Sequence, residues 1–303
     1  MPHYTPLRYP GGKQRLSPFI LELMALNKLV GGEYAEPYAG GAGVAVELLL
    51  TDRVTKIHLN DSCTTIYSFW RSILNYTDEF CKRVRDTPLT VETWKQQREI
   101  LSRTNEFDQL DVGFSAFYLN RCNRSGIIAG GGIIGGLEQT GKWKMDARFP
   151  RDKLVGRIEA IASKKRAISV TNLDAEDFIS TQVPNLPKKV LVYCDPPYFK
   201  KAQGLYFNHY APEDHERIAE VIQRMSRPWV LSYDNVPKIL KCYSDRRRVC
   251  YRLQHTAATA RKGKEAFFFA DGLRLPDSSV VEFVNRALKR FNKSSARTIK
   301  IFE

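Results

Sequence analysis

Residues 190–199 read VLVYCDPPYF, an apolar run that meets an acid, two prolines and two aromatics. Two successive prolines cannot extend a strand or a helix, because each lacks a backbone donor and each restricts the residue before it. The strand must stop at Asp195. What it presents at its end is one carboxylate, the stiff carbonyl-bearing backbone of Pro196 and Pro197, and the rings of Tyr198 and Phe199. A second chemistry-bearing stretch is EPYAGGAG, residues 36–43, where Gly40, Gly41 and Gly43 follow a short strand and precede the helical run VAVELLL. Such a loop lets backbone approach a ligand at the carboxyl end of a sheet. Asp61 closes the next strand 18 positions beyond Gly43, where an acid can accept hydrogen bonds from ribose hydroxyls. Val44-Ala45-Val46 stands where a nicotinamide fingerprint needs its third glycine, so that cofactor is not indicated. A third stretch, RYPGGK (residues 8–13), lacks the upstream glycine of a triphosphate loop. It is either a plain surface turn or a place for Tyr9 to stack and Lys13 to meet a carboxylate.

The elements that must position these residues alternate. Strand-like runs fall at 33–40, 56–61, 167–172, 190–195, 229–234, 249–254 and 265–271, with helical patterns between them. Strands alternating with helices imply crossover units and a mostly parallel, doubly wound sheet covered on both faces. In APEDHERIAEVIQRM, Pro212 and three acids open a helix whose Ile218, Ala219, Val221 and Ile222 face a core. Near the end, Val280, Val281, Phe283, Val284, Ala287, Leu288 and Phe291 recur at helical spacing behind Asp277. Alternation breaks between about Asn75 and Arg166, which reads as a mainly helical insert. The expected organisation is residues 1–74 and 167–303 for the two parts of the α/β domain, and 75–166 for the insert. Seven glycines between Gly126 and Gly141 lie in this insert, and EQTGKWK reads as a hairpin turning at Thr140 and Gly141. Arg121, Arg124, Lys142, Trp143, Lys144 and Arg148 nearby favour a nucleic-acid-facing surface over a bare loop.

With 47 Lys and Arg against 33 Asp and Glu the net charge is +14, which suits a polyanionic partner. Six cysteines without a CxxC pair or a suitably spaced His indicate neither a metal site nor a disulfide framework. The N-terminal residues lack the apolar run of a signal peptide and no apolar run is long enough to span a bilayer, so the expectation is a soluble, cytoplasmic protein.

In order along the chain, PLRYPGGK, EPYAGGAG, HLND, FYLNR, DPPY, YAPEDHERIA, WVLSYDN and ARKGKEAFFF resemble the DNA adenine-N6 methyltransferases of the Dam type, the D12 class. The resemblance covers almost the whole chain; the glycine run of the insert departs from it. It implies a Rossmann-like fold that uses S-adenosylmethionine, with a DNA-recognition insert. Asp195, Pro196, Pro197 and Tyr198 would then be catalytic. Tyr9, Lys13, Glu36, Pro37, Gly40, Gly41, Gly43, Asp61 and Asp195 would form the donor site, with Asp177 or Asp174 at the donor's adenine. Arg8, Asn120, Arg121, Arg124, Lys142 and Lys144 would face double-stranded DNA, and Lys200, Lys201, Arg261 and Lys262 would add phosphate contacts.

An adenine amine is a poor nucleophile because its lone pair is delocalised into the ring. Acceptors at both N–H groups, supplied by Asp195 and the Pro196 carbonyl, draw that density back, while Tyr198 offers a stacking face and Phe199 is equally explained by packing. Since the amine lies inside a duplex, the base must be extruded. Cytosine-N4, RNA and protein amide acceptors remain alternatives, as does an inactive nucleic-acid-binding module. Relatives acting on cytosine more often carry Ser, and those acting on glutamine Asn, where this chain has Asp195. The resemblance carries a monomer as its expectation and leaves open a partner restriction endonuclease or defence system, a phage or mobile-element setting, and a solitary enzyme.

Overall fold

The computed structural model describes residues 4–8, 13–199, 210–253 and 263–276. Tyr9, Lys200, Lys201, Arg261, Lys262, Asp277 and the helix expected over 280–291 lie outside them.

Among the described residues seven strands form one sheet: β1 (Glu33–Glu36), β2 (Lys56–Asn60), β3 (Ile168–Thr171), β4 (Val190–Cys194), β5 (Trp229–Asp234), β6 (Arg248–Leu253) and β7 (Gly263–Phe269). Their order is β3-β2-β1-β4-β5-β7-β6. The first five run parallel, whereas β7 is antiparallel to both β5 and β6. Tyr34, Ala35, Ile57, Leu59, Val190, Leu191, Val192, Val230 and Leu231 are all essentially buried, as a sheet covered on both faces requires.

The order reverses between β1 and β4. At such a switch point the two strands send their following helices to opposite faces, and a crevice opens beyond their carboxyl ends. The helices around the sheet include α1 (Ser17–Leu26), α2 (Gly43–Leu50), α8 (Ala175–Asp177), α9 (Pro212–Gln223) and α10 (Pro237–Cys242). As read from the sequence, α9 begins at Pro212; Asp214 Oδ2 accepts the Ala211 N–H at 2.7 Å, satisfying one end donor, and Ile218, Ala219 and Ile222 are buried.

Between β2 and β3 the chain is helical: α3 (Thr64–Asn75), α4 (Thr77–Asp86), α5 (Val91–Ser102), α6 (Gln109–Cys122) and α7 (Arg151–Ser163). Its packing is continuous with α3. The Phe69 ring on α3 lies 5.9 Å from Phe80 on α4 and 6.1 Å from Phe117 on α6, and Phe149 meets Phe117 at 5.5 Å. The break at residues 74/75 therefore marks a change of pattern in the sequence rather than a gap in the core.

The hairpin read at EQTGKWK does not form. The Gln139 amide donates to the carbonyls of Ile134 at 2.8 Å and Gly136 at 2.6 Å, while its oxygen accepts the Met145 N–H at 3.0 Å. A side-chain amide has taken the backbone partners that a second strand would have used. Residues 134–144 close as a compact loop, with the Gly141 N–H donating to the Gly135 carbonyl at 3.1 Å.

Candidate active site

Asp195 directly follows the last residue of β4, next to the switch point. Its Oδ1 accepts from Ser232 Oγ of β5 at 2.6 Å and faces Lys13 Nζ at 3.5 Å. Its side chain is 26% exposed, and among the described residues Oδ2 accepts no hydrogen bond, nor does the Pro196 carbonyl. Two acceptors on successive residues, the partly exposed Asp195 and the buried Pro196, are thus uncommitted among the described residues, on a backbone that two prolines restrict. Burial pushes the Asp195 carboxyl above the usual aspartate range, against the opposing pull of the Lys13 charge and the Ser232 hydroxyl.

Lys13 sits in a 3-10 turn, Lys13–Leu16. Its ammonium meets Glu265 Oε2 at 2.8 Å as well as Asp195, touches the Tyr198 hydroxyl, and lies 4.8 Å from the Tyr198 ring centre. Burial works against this cation, but the two carboxylates outweigh it and raise its pKa. Glu265 reaches the site because β7 runs antiparallel: its register places Glu265 opposite Asp234, the last residue of β5, so the start of β7 lies at the carboxyl ends of its neighbours.

Tyr198 is only 8% exposed and its ring packs 6.2 Å from Tyr233. It is a wall of the site rather than an open platform. Phe199 takes the packing alternative, its ring 5.1 Å from His215 and 5.7 Å from the Lys238 ammonium.

The glycine loop lies across the crevice on the β1 side. Gly40 and Ala42 both adopt left-handed backbone, with φ of 46° and 43°, a strain commonly found at ligand sites. The Gly40 N–H donates to Asp61 Oδ2 at 2.8 Å, its carbonyl accepts from the Trp70 indole at 2.9 Å, and the Gly41 carbonyl accepts from Thr5 Oγ1 at 2.6 Å. A Cβ on Gly43 would stand 3.0 Å from Gln14 Cβ, so this loop and the N-terminal segment fit closely. Asp61 accepts the Cys63 N–H at 3.0 Å through its other oxygen. It therefore braces the loop, and a further lone pair on each oxygen remains for a hydroxyl. Burial pushes Asp61 up to about 6 and Glu36, the last residue of β1, up to about 8. Pro37 is buried behind Glu36, its carbonyl accepting from Asn60 Nδ2 at 3.1 Å. Asp177 is exposed on α8, and Asp174 caps that helix through the Glu176 N–H at 2.8 Å.

Asn120 and Arg121, expected at the DNA surface, lie inside the protein at 0% and 6% exposure. Asn120 is a clamp: its oxygen accepts the Arg8 N–H at 2.7 Å, and its amide donates to the carbonyls of Arg8 at 2.7 Å and Gly126 at 2.8 Å. Each of its polar atoms is engaged within the protein, which leaves Asn120 no means of touching DNA. Arg8 is partly exposed and donates from Nη1 to the Asn123 carbonyl at 3.1 Å. Arg124, Lys142 and Lys144 are exposed, and Lys142 Nζ lies 6.0 Å from the ring of Trp143, which is 65% exposed.

Sequence reasoning did not single out Glu265, Ser232 or Asn60. Each carried a signal, being a polar residue inside or at the end of a strand whose other residues are apolar. Asn60 shows what such a residue does: its oxygen accepts from Thr171 Oγ1 at 2.8 Å and the Leu173 N–H at 3.0 Å, tying the end of β2 to that of β3.

Acids thus stand at the carboxyl ends of β1, β2 and β4 (Glu36, Asp61 and Asp195) and near the start of β7 (Glu265), Asp61 and Asp195 partly exposed and Glu36 and Glu265 buried, with a glycine loop on the β1 side. The acceptors at Asp61 and Asp195 suit a small molecule carrying hydroxyl and N–H groups, which S-adenosylmethionine is. Sheet, loop and crevice together fit an α/β methyltransferase. Residues 9–259 match the sequence model of the D12 class N6 adenine-specific DNA methyltransferases, and the chain belongs to that family. Methylation of adenine in DNA is the activity of that class, and methyltransferases of this kind generally use S-adenosylmethionine. No curated protein matches the chain. Among solved structures, protein LPL1258 from Legionella pneumophila str. Philadelphia 1 aligns over 97% of each chain at 10% identity, with a TM-score of 0.36. Among the described residues no helix is long and apolar enough to cross a membrane, and no group of His, Cys, Asp and Glu could hold a metal ion.

Proposed function

We propose that the protein methylates the N6 amine of adenine at a specific short sequence of double-stranded DNA, taking the base out of the helix to do so. The observation that carries this reading is the pair of uncommitted acceptors, Asp195 Oδ2 and the Pro196 carbonyl, on a proline-stiffened turn at the switch point. Two acceptors match the two N–H groups of one exocyclic amine, and in binding them they return lone-pair density to nitrogen. Ser232 and Lys13 hold Oδ1, which fixes the direction of Oδ2. Lys13 stands against both Asp195 and Glu265, and its charge pulls the Asp195 pKa down against the upward push of burial.

S-adenosylmethionine supplies an electrophilic methyl group, and the displacement chiefly needs alignment. Asp61 and the Gly40 to Gly43 loop would hold the donor, with Glu36 beneath it. Tyr198, backed by Tyr233, would flank the base. Extrusion costs a few kcal/mol, which contacts from Arg8, Arg124, Lys142 and Lys144 would offset.

The test is to incubate the purified protein with unmethylated genomic DNA and S-adenosylmethionine, then read modified bases by single-molecule sequencing. N6-methyladenine at one fixed motif supports the reading. Donor binding without DNA modification would point to an RNA or protein acceptor, and absence of donor binding to an inactive module.

A further inference from the structure

Four arginines converge from separate parts of the chain: Arg8 from the N-terminal segment, Arg121 from the end of α6, Arg148 from the turn Met145–Arg148, and Arg157 from α7. Each of the other three contributes to lowering the pKa of Arg121, so all four lie within electrostatic reach. Their hydrogen-bond partners are neutral and few. Arg8 Nη1 donates to the Asn123 carbonyl at 3.1 Å, Arg157 Nη1 to the Thr5 carbonyl at 3.3 Å, and Arg121 Nη1 reaches the Pro6 carbonyl at 3.5 Å. Although Arg121 is 6% exposed, its Nε has no partner. Among the described residues no carboxylate pairs with any of the four. Burial holds the Arg121 guanidinium at about 9, and the charges of Arg8 and Arg157 reinforce the shift.

Like charges gathered in a partly dry place, without a counter-ion, are unfavourable unless something negative joins them. The cluster is not closed to solvent: Arg148 is exposed, and Arg8 and Arg157 are partly so. Guanidinium groups grip phosphate oxygens two at a time, in a geometry that a lysine cannot offer. Arg8 also connects the cluster to the DNA-facing segment, because the Asn123 that accepts its hydrogen bond precedes the exposed Arg124.

We propose that Arg8, Arg121, Arg148 and Arg157 form a binding site for one phosphate group of the DNA backbone. The inference rests on the DNA reading above for the source of the phosphate, but not for the site itself. Arg148 and Arg157 receive the phosphate from the open side, while Arg121 supplies charge from behind. The phosphate thereby anchors the N-terminal segment that continues to Lys13.

Two measurements test it. In the first, inorganic phosphate is titrated against sodium chloride at matched ionic strength while thermal unfolding is followed. Phosphate should raise the melting temperature of the wild type more than that of Arg157→Gln or Arg148→Gln, both of which alter side chains at least partly open to solvent. In the second, duplex binding is measured against salt, and methylphosphonate is placed at successive positions of the duplex. Removing one arginine–phosphate pairing should lower the slope of log K against log salt by about 0.9. One methylphosphonate position should weaken the wild type and leave Arg157→Gln unaffected. Phosphate protection without duplex binding would uphold the site and remove the DNA reading. Equal phosphate protection of wild type and both variants, or duplex binding with an unchanged slope in both, overturns the proposal.

Discussion

At the residue scale, Asp195 does two jobs with two oxygens. Oδ1 belongs to the scaffold, through Ser232 and Lys13, and Oδ2 is left for a ligand. Asp195→Asn keeps size and shape but replaces an acceptor with a donor at one of these places. Methyl transfer should fall by about 10²-fold or more, the scale of losing one hydrogen bond aimed at a reacting group. Labelled-donor incorporation measures it, with circular dichroism as the control for folding; turnover within tenfold of the wild type would remove the acceptor role. Glu36 supports a second prediction. Its pKa rises from 4.5 to about 8 on folding, so the native state holds its proton more tightly than the unfolded chain does. Stability should therefore decline as pH climbs through that window and level off above it. Glu36→Gln has no proton to lose and should flatten the decline. Urea midpoints at several pH values from about 5 to about 8 compare the two, and parallel curves would refute the assignment.

At the element scale, the N-terminal segment is held at Arg8 by Asn120 and braced by Gly126, and five residues later Lys13 enters the crevice. Gly126 has φ of 76°, and a Cβ there would stand 2.4 Å from the Arg8 carbonyl oxygen. Gly126→Ala must push the segment away. It should destabilise the protein by about 1–3 kcal/mol through strain and broken buried hydrogen bonds, and weaken donor binding as Lys13 is displaced. Gly130→Ala, at φ of 68° but in open space, should carry only the local strain. Calorimetric donor titration of both variants separates contact from conformation. The strands and the glycine loop were legible in the sequence because apolar runs and glycine spacing are local signals. The strand end at Asp195 was legible for the same reason, since proline stereochemistry is local. The roles of Asn120 and Glu265 were not, because each depends on a partner more than a hundred residues away. Nor was the failure of the hairpin, which turns on Gln139 outcompeting a strand for backbone groups.

At the scale of the whole molecule, the net charge of +14 suits a polyanionic partner. Arg124, Lys142 and Lys144 stand exposed, whereas Glu36 and Glu265 of the site are buried. Binding to duplex DNA should weaken steeply with salt. Arg124→Ala and Lys144→Ala should each reduce the slope by about 0.9 if each side chain meets one phosphate. Fluorescence anisotropy over a salt series reads this directly, and unchanged slopes would take the loop off the DNA.

The position of β7 between β5 and β6 also sets a calendar for the molecule. The two strands that flank it are both made earlier, and among the described residues β6 has no neighbour in the sheet except β7. While the ribosome is still short of residue 263, β5 is an unfinished edge, β6 has nowhere to dock, and Lys13 awaits a carboxylate 252 residues downstream. Chains grow from the N-terminus, and pairings this distant are slow to form. The crevice therefore gains its last wall when that strand slots into place, and nascent chains halted before it would emerge with most of the sheet and an incomplete site.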